Sequence, residues 1–153
     1  MTETTTDEAQ TILRSASGHD ITPLNADRVA ELVEKLTDEE RRVLLQAGTE
    51  APFCGGLLDN KEAGVYVCRL CELPLYRSGT KFDSGTGWPS FNDPIDPDHV
   101  TEHADHSLGS VRTEIRCARC SGHLGHVFDD GPPPSGRRHC LNSESMEFEP
   151  DDA

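Results

Sequence analysis

The stretch GVYVCRLC, residues 64–71, sets the architecture of this chain, because a short apolar run ends in two cysteines with two residues between them. A second stretch, VRTEIRCARC (residues 111–120), repeats this arrangement later in the sequence. Each run has the composition of a β-strand, and each cysteine pair stands where a strand would enter a turn. The two stretches therefore predict two turns that supply four thiols, from Cys68, Cys71, Cys117 and Cys120.

Four cysteines in two such pairs predict a structural zinc site. Zn²⁺ prefers four thiolates at about 2.3 Å in a tetrahedron, and two C-x-x-C turns can supply them. A thioredoxin-like redox pair and four unrelated buried thiols are the alternatives, but two copies of the pair and the lack of a β-α-β pattern argue against a redox role. The metal would join two halves of a small domain, and a site with four protein ligands has no open position for catalysis.

The sequence on both sides of these turns predicts a mainly β domain over residues 51–149. Short apolar runs at 64–68, 73–78, 109–117, 123–128 and 139–149 are typical of strands. In the run 109–117, Val111, Thr113 and Ile115 alternate with three charged residues, which predicts one dry face and one wet face. The acidic, proline-bearing segment 92–108 is predicted to be a surface loop.

The N-terminal third has a different pattern. Residues 1–20 are polar and without apolar periodicity, which predicts a disordered tail. Residues 21–50 predict two short helices, the first capped by Asn25 and the second opened by a capping box of Thr37 and Glu40 and ended by Gly48. The apolar positions of these helices are Val29, Leu32, Val33 and Leu36 in the first, and Val43, Leu44 and Leu45 in the second.

The charge of the chain limits its partners. Acidic residues number 28 against 14 basic ones, giving a formal net charge of −14, and only three of the basic residues are lysines. This balance argues against binding to nucleic acid or to acidic lipid, both of which depend on surplus Lys and Arg. It fits a halophilic source as well as an ordinary acidic protein. No signal peptide or membrane-spanning run is visible, so a cytoplasmic location with reduced cysteines is expected.

Cys140 stands apart from the paired cysteines, in GRRHCLNSESMEF (residues 136–148). On a strand, Arg138 would lie on the same side, where a cation favours the thiolate. Asn142 would lie on that side too, available to hydrogen-bond a sulfur or a substrate oxygen. The stretch HLGHVFDDG adds His123, His126, Asp129 and Asp130, and the glycine-proline turn SGTGWPSF adds Trp88. These groups are sufficient for nucleophilic catalysis with acid assistance.

Each of these residues also has a structural interpretation. Cys140 and Trp88 could be core residues, and Asp129 and Asp130 could form a turn. The two histidines could be further metal ligands, although the four paired cysteines already complete a tetrahedron.

The chain resembles the B-type peptide methionine sulfoxide reductases, which act on methionine-R-sulfoxide. The resemblance rests on GTEAPF, GVYVCRLC, LPLYRSGTKFDSGTGWPSF, VRTEIRCARC, HLGHVFDDGP and RHCLNSESMEF, which occur in the order and spacing of that family over about two-thirds of the chain. It implies two small antiparallel sheets, with zinc on the paired cysteines and away from the reaction centre.

The resemblance also implies a role for each candidate residue. Cys140 would be the nucleophile, which is left as a sulfenic acid, and Arg138 would keep it reactive. His123 and His126 would orient or protonate the sulfoxide oxygen, supported by Asp130 and Asn142. The substrate methyl group would pack against Trp88.

One position departs from the family pattern. Many relatives have a resolving cysteine where this chain has Thr86, so Cys54 in PFCGG becomes the candidate for a disulfide with Cys140. Alternatively, Cys54 is idle and an external thiol reduces the sulfenic acid. By resemblance, thioredoxin or another dithiol is the expected electron donor.

Other classes of function compete with the enzyme. A non-catalytic zinc-containing β domain could bind a peptide or small ligand in a groove near Trp88, but it would not need the surroundings of Cys140. A zinc ribbon that binds nucleic acid has the wrong charge. A second metal could bind among His99, His103 and His106, although solvated loop histidines are the preferred interpretation.

Overall fold

A computed structural model describes residues 12–51, 56–106, 111–133 and 135–151. Within these ranges two helices, α1 (Ala26–Val33) and α2 (Asp38–Gln46), precede nine strands. The strands are β1 (Gly64–Cys68), β2 (Pro74–Arg77), β3 (Lys81–Phe82), β4 (Ser90–Phe91), β5 (Val100–Asp105), β6 (Arg112–Cys117), β7 (His123–Phe128), β8 (Arg138–Leu141) and β9 (Met146–Pro150). In this part of the chain neither helix is long and apolar enough to cross a membrane.

The strands form two antiparallel sheets, one of order β2-β1-β9 and one of order β3-β4-β8-β7-β6-β5. Aromatic rings fill the core between them: the Tyr76 ring stacks on Phe91 with centroids 4.6 Å apart, and Tyr66 meets Phe91 edge-on at 5.0 Å. The predicted fold class, two small antiparallel sheets with short N-terminal helices, is confirmed.

The helices begin at the predicted caps. The Asn25 side chain accepts a hydrogen bond from the Arg28 amide at 2.8 Å, and the capping box of Thr37 and Glu40 is complete. The second helix ends differently from the prediction, because Ala47 and not Gly48 takes the left-handed conformation, with φ 55°. Gly48 is needed for another reason: a β-carbon there would collide with Arg42. Leu45, predicted to be apolar contact surface, is 45% exposed.

The predicted surface loop at 92–108 is wrong. Its second half forms β5, which pairs with β6 over six residues, and it follows a 3-10 turn at Pro97–His99. Among the described strands β5 lies at the edge of its sheet and pairs with β6 alone, so it tolerates the polar composition that indicated a loop. The predicted strand 139–149 is likewise two strands in different sheets, divided by a 3-10 turn at Ser143–Ser145.

The predicted wet and dry faces of the 109–117 run also need correction. Ile115 is fully buried as expected, but Val111 is 65% exposed and Glu114 is only 7% exposed. Glu114 is buried because the face predicted to meet water lies against His123 of the neighbouring strand.

Part of the predicted tail over residues 1–20 contacts the β domain: the Ser15 hydroxyl lies 2.8 Å from His99 Nε2, and Ser17 donates two hydrogen bonds to Asp96. Arg14 forms a β-bridge with Asp20, and Ser15 is buried. Hydrogen bonds to buried groups explain this order, because polar composition alone does not prevent packing when partners are available. Residues 1–11 lie outside the described part of the chain.

Candidate active site and metal centre

The two cysteine pairs adopt the same turn. The carbonyl of the first cysteine in each pair, Cys68 or Cys117, accepts a hydrogen bond from an amide four residues later, at 2.8 and 2.9 Å respectively. That later residue, Glu72 in one turn and Ser121 in the other, has a positive φ, of 68° and 62°. This conformation reverses the chain after each pair, so that both sulfurs of each pair face the same point.

The four thiols converge into one cluster that could hold a metal ion. The Cys68 sulfur lies 3.6 Å from that of Cys120, and the Cys71 sulfur lies 3.4 Å from that of Cys117. A tetrahedron with metal–sulfur bonds of about 2.3 Å has edges of about 3.8 Å, close to these separations. The donor set and its geometry therefore fit a closed four-thiolate site.

Cys140 lies on β8 in the larger sheet, half-buried in a cleft of about 250 Å³. His126 of β7 is its partner across one side of the ladder, and Ser90 of β4 is its partner across the other. Directly opposed residues of antiparallel strands point to the same face, so His126 and Cys140 meet in the cleft. The cleft is lined by Thr49, Thr86, Trp88, Arg112, Gly125, His126, Phe128, Arg138, Cys140, Leu141 and Asn142.

A bulge brings the two histidines of β7 to one face. Residues three apart on a regular strand point to opposite faces, but the pairing of β6 with β7 shifts between Ile115 and Arg116. As a result, the rings of His123 and His126 have centroids 5.5 Å apart. Gly125 lies between them, and a β-carbon there would collide with the Cys140 carbonyl.

Each histidine is held by a carboxylate that the sequence analysis did not assign to the site. His126 Nε2 lies 2.7 Å from an Asp105 oxygen, and His123 Nδ1 lies 2.7 Å from a Glu114 oxygen. Burial lowers the pKa of His123, although Glu114 opposes this effect. His126 lines the cleft, whereas His123 stands behind it. Asp105 lies at the end of β5 and Glu114 lies on β6, and only the pairing order β7-β6-β5 brings these carboxylates to the histidines of β7.

Arg138 shares its face of β8 with Cys140. It donates two hydrogen bonds to Asp130, at 2.9 and 3.1 Å, and its guanidinium lies 4.4 Å from the centre of the Phe128 ring. These contacts fix the guanidinium at the cleft. Asp130 is therefore placed to orient Arg138, and the support of the histidines that the resemblance implied stays a prediction.

Burial raises the pKa of the Cys140 thiol, whereas the charge of Arg138 and hydrogen bonds from Thr86 and Arg138 lower it. The net direction is upward, so burial outweighs the effect of Arg138, the residue that the resemblance implied would keep Cys140 reactive. Thr86 is part of a hydroxyl chain in which Ser84 lies 2.9 Å from Thr86 and 2.8 Å from Ser90.

Glu50 is hydrogen-bonded to two further predicted residues of the cleft, Asn142 and Trp88. Its amide donates to the Asn142 side chain at 3.0 Å, and its carbonyl accepts from the Trp88 indole at 2.9 Å. Asn142 also donates to the Leu124 carbonyl at 3.2 Å, so its amide group positions backbone. The Glu50 carboxylate is buried and accepts from the Glu144 amide at 2.9 Å. The sequence feature that could have identified Glu50 as a site residue is its position in GTEAPF, one of the stretches that carry the family resemblance.

Among the described residues, the other histidines near these stretches do not line the cleft. Cys54 lies outside the described residues. His139 points to the opposite face of β8 from Cys140, where its Nδ1 lies 2.9 Å from the Tyr76 hydroxyl in the core. His99 is fully buried, whereas His103 is half-buried and His106 is exposed, so the interpretation of all three as solvated loop residues is wrong for His99.

A thiol, an imidazole and a guanidinium share one cleft, and the same β scaffold carries four clustered cysteines. This combination defines a small, mainly β thiol oxidoreductase. Residues 36–150 match the SelR domain, and the chain belongs to this family. Peptide methionine sulfoxide reductase MsrB of Caulobacter vibrioides is 58% identical over 134 residues, which are 88% of this chain and 84% of the relative.

Two further relatives carry the same name. The protein of Xylella fastidiosa is 56% identical over 131 residues, covering 86% of this chain and 84% of the relative. That of Agrobacterium fabrum is 55% identical over 121 residues, covering 79% and 90%. The resemblance to the methionine sulfoxide reductases is confirmed.

Proposed function

We propose that the protein reduces methionine-R-sulfoxide to methionine, in peptides and proteins, with Cys140 as the nucleophile. One observation carries this proposal: Cys140, His126 and Arg138 meet in one cleft walled by Trp88, in a chain of the methionine sulfoxide reductase family. The clustered cysteines, by contrast, are turned toward one another.

The first step transfers oxygen from sulfur to sulfur. The Cys140 thiolate attacks the sulfoxide sulfur, a proton reaches the sulfoxide oxygen, and that oxygen moves to Cys140 as its bond to the methionine sulfur breaks. Cys140 is oxidised to sulfenic acid and the sulfoxide is reduced to a thioether. His126 lies opposite Cys140 and is placed to donate the proton, while Arg138 lowers the pKa of the thiol against the effect of burial.

Selectivity for one epimer follows from three fixed contacts. The sulfur must face Cys140, the oxygen must face His126, and the methyl group must pack against Trp88. The other epimer could keep only two of these contacts, because exchanging the oxygen and the methyl group would place oxygen on the indole wall. The hydrogen bond from Trp88 to Glu50 holds that wall in place.

Trp88 also borders a second groove, of about 570 Å³, which does not contain Cys140. Lys81 lines this groove and donates to the backbone carbonyls of Leu58 and Asn60, at 2.7 and 3.0 Å. We assign this groove to residues that flank the sulfoxide in a peptide substrate, because it meets the cleft at the indole.

Cys54 is proposed to resolve the sulfenic acid. Residues on both sides of Cys54 are hydrogen-bonded to residues that follow Cys140. The Glu50 amide donates to the Asn142 side chain, and the Leu57 amide donates to the Ser143 hydroxyl at 3.1 Å. Four residues extend at most about 14 Å, so chain length limits how far Cys54 can lie from the anchor at Glu50. Condensation of the two would release water and form a disulfide, which a dithiol reductant of the thioredoxin class would reduce.

The clustered cysteines are proposed to hold Zn²⁺. An all-thiolate tetrahedral set favours zinc or iron, and zinc is the usual ion in a closed structural site of this kind. The ion would tie the turn after β1 to the turn after β6.

The test is turnover of each epimer of dabsyl-methionine sulfoxide with dithiothreitol. We expect the wild type to consume the R epimer and the Cys140→Ser variant to consume neither. A wild type with no turnover, or a Cys140→Ser variant with full turnover, would overturn the proposal, and the first result would favour the binding-module alternative.

A second assay isolates Cys54. The Cys54→Ser variant should retain one turnover without reductant and accumulate sulfenic acid, trapped with dimedone, while losing turnover with thioredoxin. Mass mapping of the oxidised wild type should find Cys54 joined to Cys140; a free Cys54 in that state would remove its resolving role.

A further inference from the structure

A group of metal-ligating side chains lies outside the cleft and outside the cysteine cluster. It consists of His19, Asp96 and His99, each offering one ligand atom, with these atoms all within 4.8 Å of one another. The group joins the N-terminal segment to the 3-10 turn that precedes β5. Neither the proposed reaction nor the zinc site uses it.

His99 is oriented as a metal ligand would be. It is fully buried, and its Nδ1 lies 2.5 Å from the Pro74 carbonyl, which can only accept. Nδ1 therefore carries the hydrogen, and the lone pair of Nε2 faces the group. This arrangement, in which one imidazole nitrogen donates to a carbonyl, fixes the tautomer and ring orientation of metal-bound histidines.

Asp96 supplies the negative charge. It is 6% exposed, and its Oδ2 lies 3.4 Å from His99 Nε2. Ser17 holds the carboxylate in place, donating from its amide to Oδ2 at 2.9 Å and from its hydroxyl to Oδ1 at 3.0 Å. A carboxylate that is buried and oriented in this way is available to neutralise a cation.

His19 completes the group with an unused nitrogen. Its Nδ1 is buried and has no hydrogen-bond partner among the described residues, which is costly for a polar atom. Its ring meets that of His99 edge-on, with centroids 5.0 Å apart. An ion between these groups would satisfy the unpaired nitrogen.

We propose that His19, Asp96 and His99 form a second metal site, which takes a divalent transition-metal ion such as Zn²⁺. Two imidazoles and one carboxylate are ligands that suit zinc, cobalt and nickel, with water in the remaining position. The Ser15 hydroxyl lies 2.8 Å from His99 Nε2, and the ion would replace it as the partner of that nitrogen. Bound metal would fasten the segment around residues 15–19 to the β domain.

The test counts metal ions in the full-length protein. The Cys54→Ser, Cys140→Ser double variant serves as the parent, because it lacks the two thiols outside the cluster that could also retain zinc. Each protein is incubated with excess ZnSO₄, desalted and analysed by mass spectrometry for zinc per chain. We expect two ions in the parent and one after addition of His19→Ala.

His106→Ala is the matched control, because it removes an exposed histidine outside the group and should leave two ions. Excess zinc should also raise the melting temperature of the parent and of the His106→Ala protein, but not of the His19→Ala protein. His19 is only half-buried, so its variant should fold, and circular dichroism checks this. One ion in the parent, or two in the His19→Ala protein, would overturn the proposal.

Discussion

The four clustered cysteines and Cys140 carry the same thiol in contrasting surroundings. The clustered cysteines sit in turns whose hydrogen bonds close within five residues, so each pair is arranged by its own stretch of chain. Cys140 sits mid-strand, and its neighbours come from β4, from β7 and from the turn that carries Trp88. Local geometry brings the first set of thiols together in pairs, whereas tertiary packing supplies the surroundings of Cys140.

The two regions also differ in how a cation acts on sulfur. In the cluster, an ion bound by four thiolates would cancel their repulsion and hold two sheets together. At Cys140 the cation is a guanidinium, which opposes the effect of burial on the thiol pKa without removing it. Three of the four clustered cysteines are buried, whereas Cys140 is half-buried at the cleft.

The largest effect should come from breaking the cluster. Cys117→Ser should lose bound metal and unfold, because structural zinc contributes about 10–16 kcal/mol, comparable to the whole stability of a domain. Zinc content and circular dichroism measure this. Cys140→Ser, the matched control, should keep its metal and its fold. A folded, metal-free Cys117→Ser protein would show that the cluster is dispensable.

The next effect concerns the opposite face of β8. Burial lowers the pKa of His139 from 6.5 to about 4, so it stays neutral in the folded state. Below pH 6.5 the unfolded chain takes up a proton that the folded chain does not, and stability is lost as the pH falls. The loss from this residue should reach about 2 kcal/mol at pH 5.

Urea denaturation at pH 7 and pH 5 measures this loss. His139→Phe should show a smaller fall than the wild type, by about the same 2 kcal/mol. The other shifted groups, including His123, remain in both proteins and cancel in the comparison. Equal falls would mean that His139 is protonated in the folded state.

A smaller effect is expected from Arg138→Gln. Removing the guanidinium should raise the pKa of Cys140 further, so less of the thiol is ionised at pH 7 and alkylation by iodoacetamide should slow by up to about tenfold. The pH midpoint of alkylation should move upward. Arg138→Lys, which keeps the charge, should move it less. A downward movement of the midpoint would mean that the guanidinium does not stabilise the thiolate.

The smallest effect, of opposite sign, should come from Glu50→Gln. The Glu50 carboxylate raises the pKa of Cys140, so an uncharged isostere should lower the alkylation midpoint and speed alkylation at pH 7 by about two- to threefold. Glutamine can still accept from the Glu144 amide, so the backbone contacts of Trp88 and Asn142 should persist. Slower alkylation would show that the Glu50 charge does not act on Cys140.

The strands were predictable where a turn bounded an apolar run. GVYVC and HLGHVF form β1 and β7 at the expected residues because both are buried on two sides. β5 was missed because an edge strand with one pairing partner can be polar, and its sequence then has the composition of a loop. The segment 139–149 was predicted as a single strand because its sequence pattern does not reveal that the chain changes sheet at Ser143–Ser145.

The residues of the candidate site also fall into those that were predictable from the sequence and those that were not. Strand periodicity placed Arg138 and Cys140 on one face of β8, and Asn142, which also lines the cleft, follows the last residue of that strand. Glu114 and Asp105, which hold the histidines, lie on other strands and carry no local signal. The β7 bulge that joins His123 to His126 depends on the register with β6, which no single strand specifies.

Local sequence specified the features that depend on near neighbours: the paired cysteine turns, the helix caps, the two-residue alternation of the strands and the family motifs. Tertiary contacts determined which carboxylate meets which imidazole, how far burial raises the pKa of Cys140, and why His19 lies against His99. The physical reason is distance along the chain. Backbone conformation responds to neighbouring residues, whereas desolvation and charge depend on whatever packing brings near.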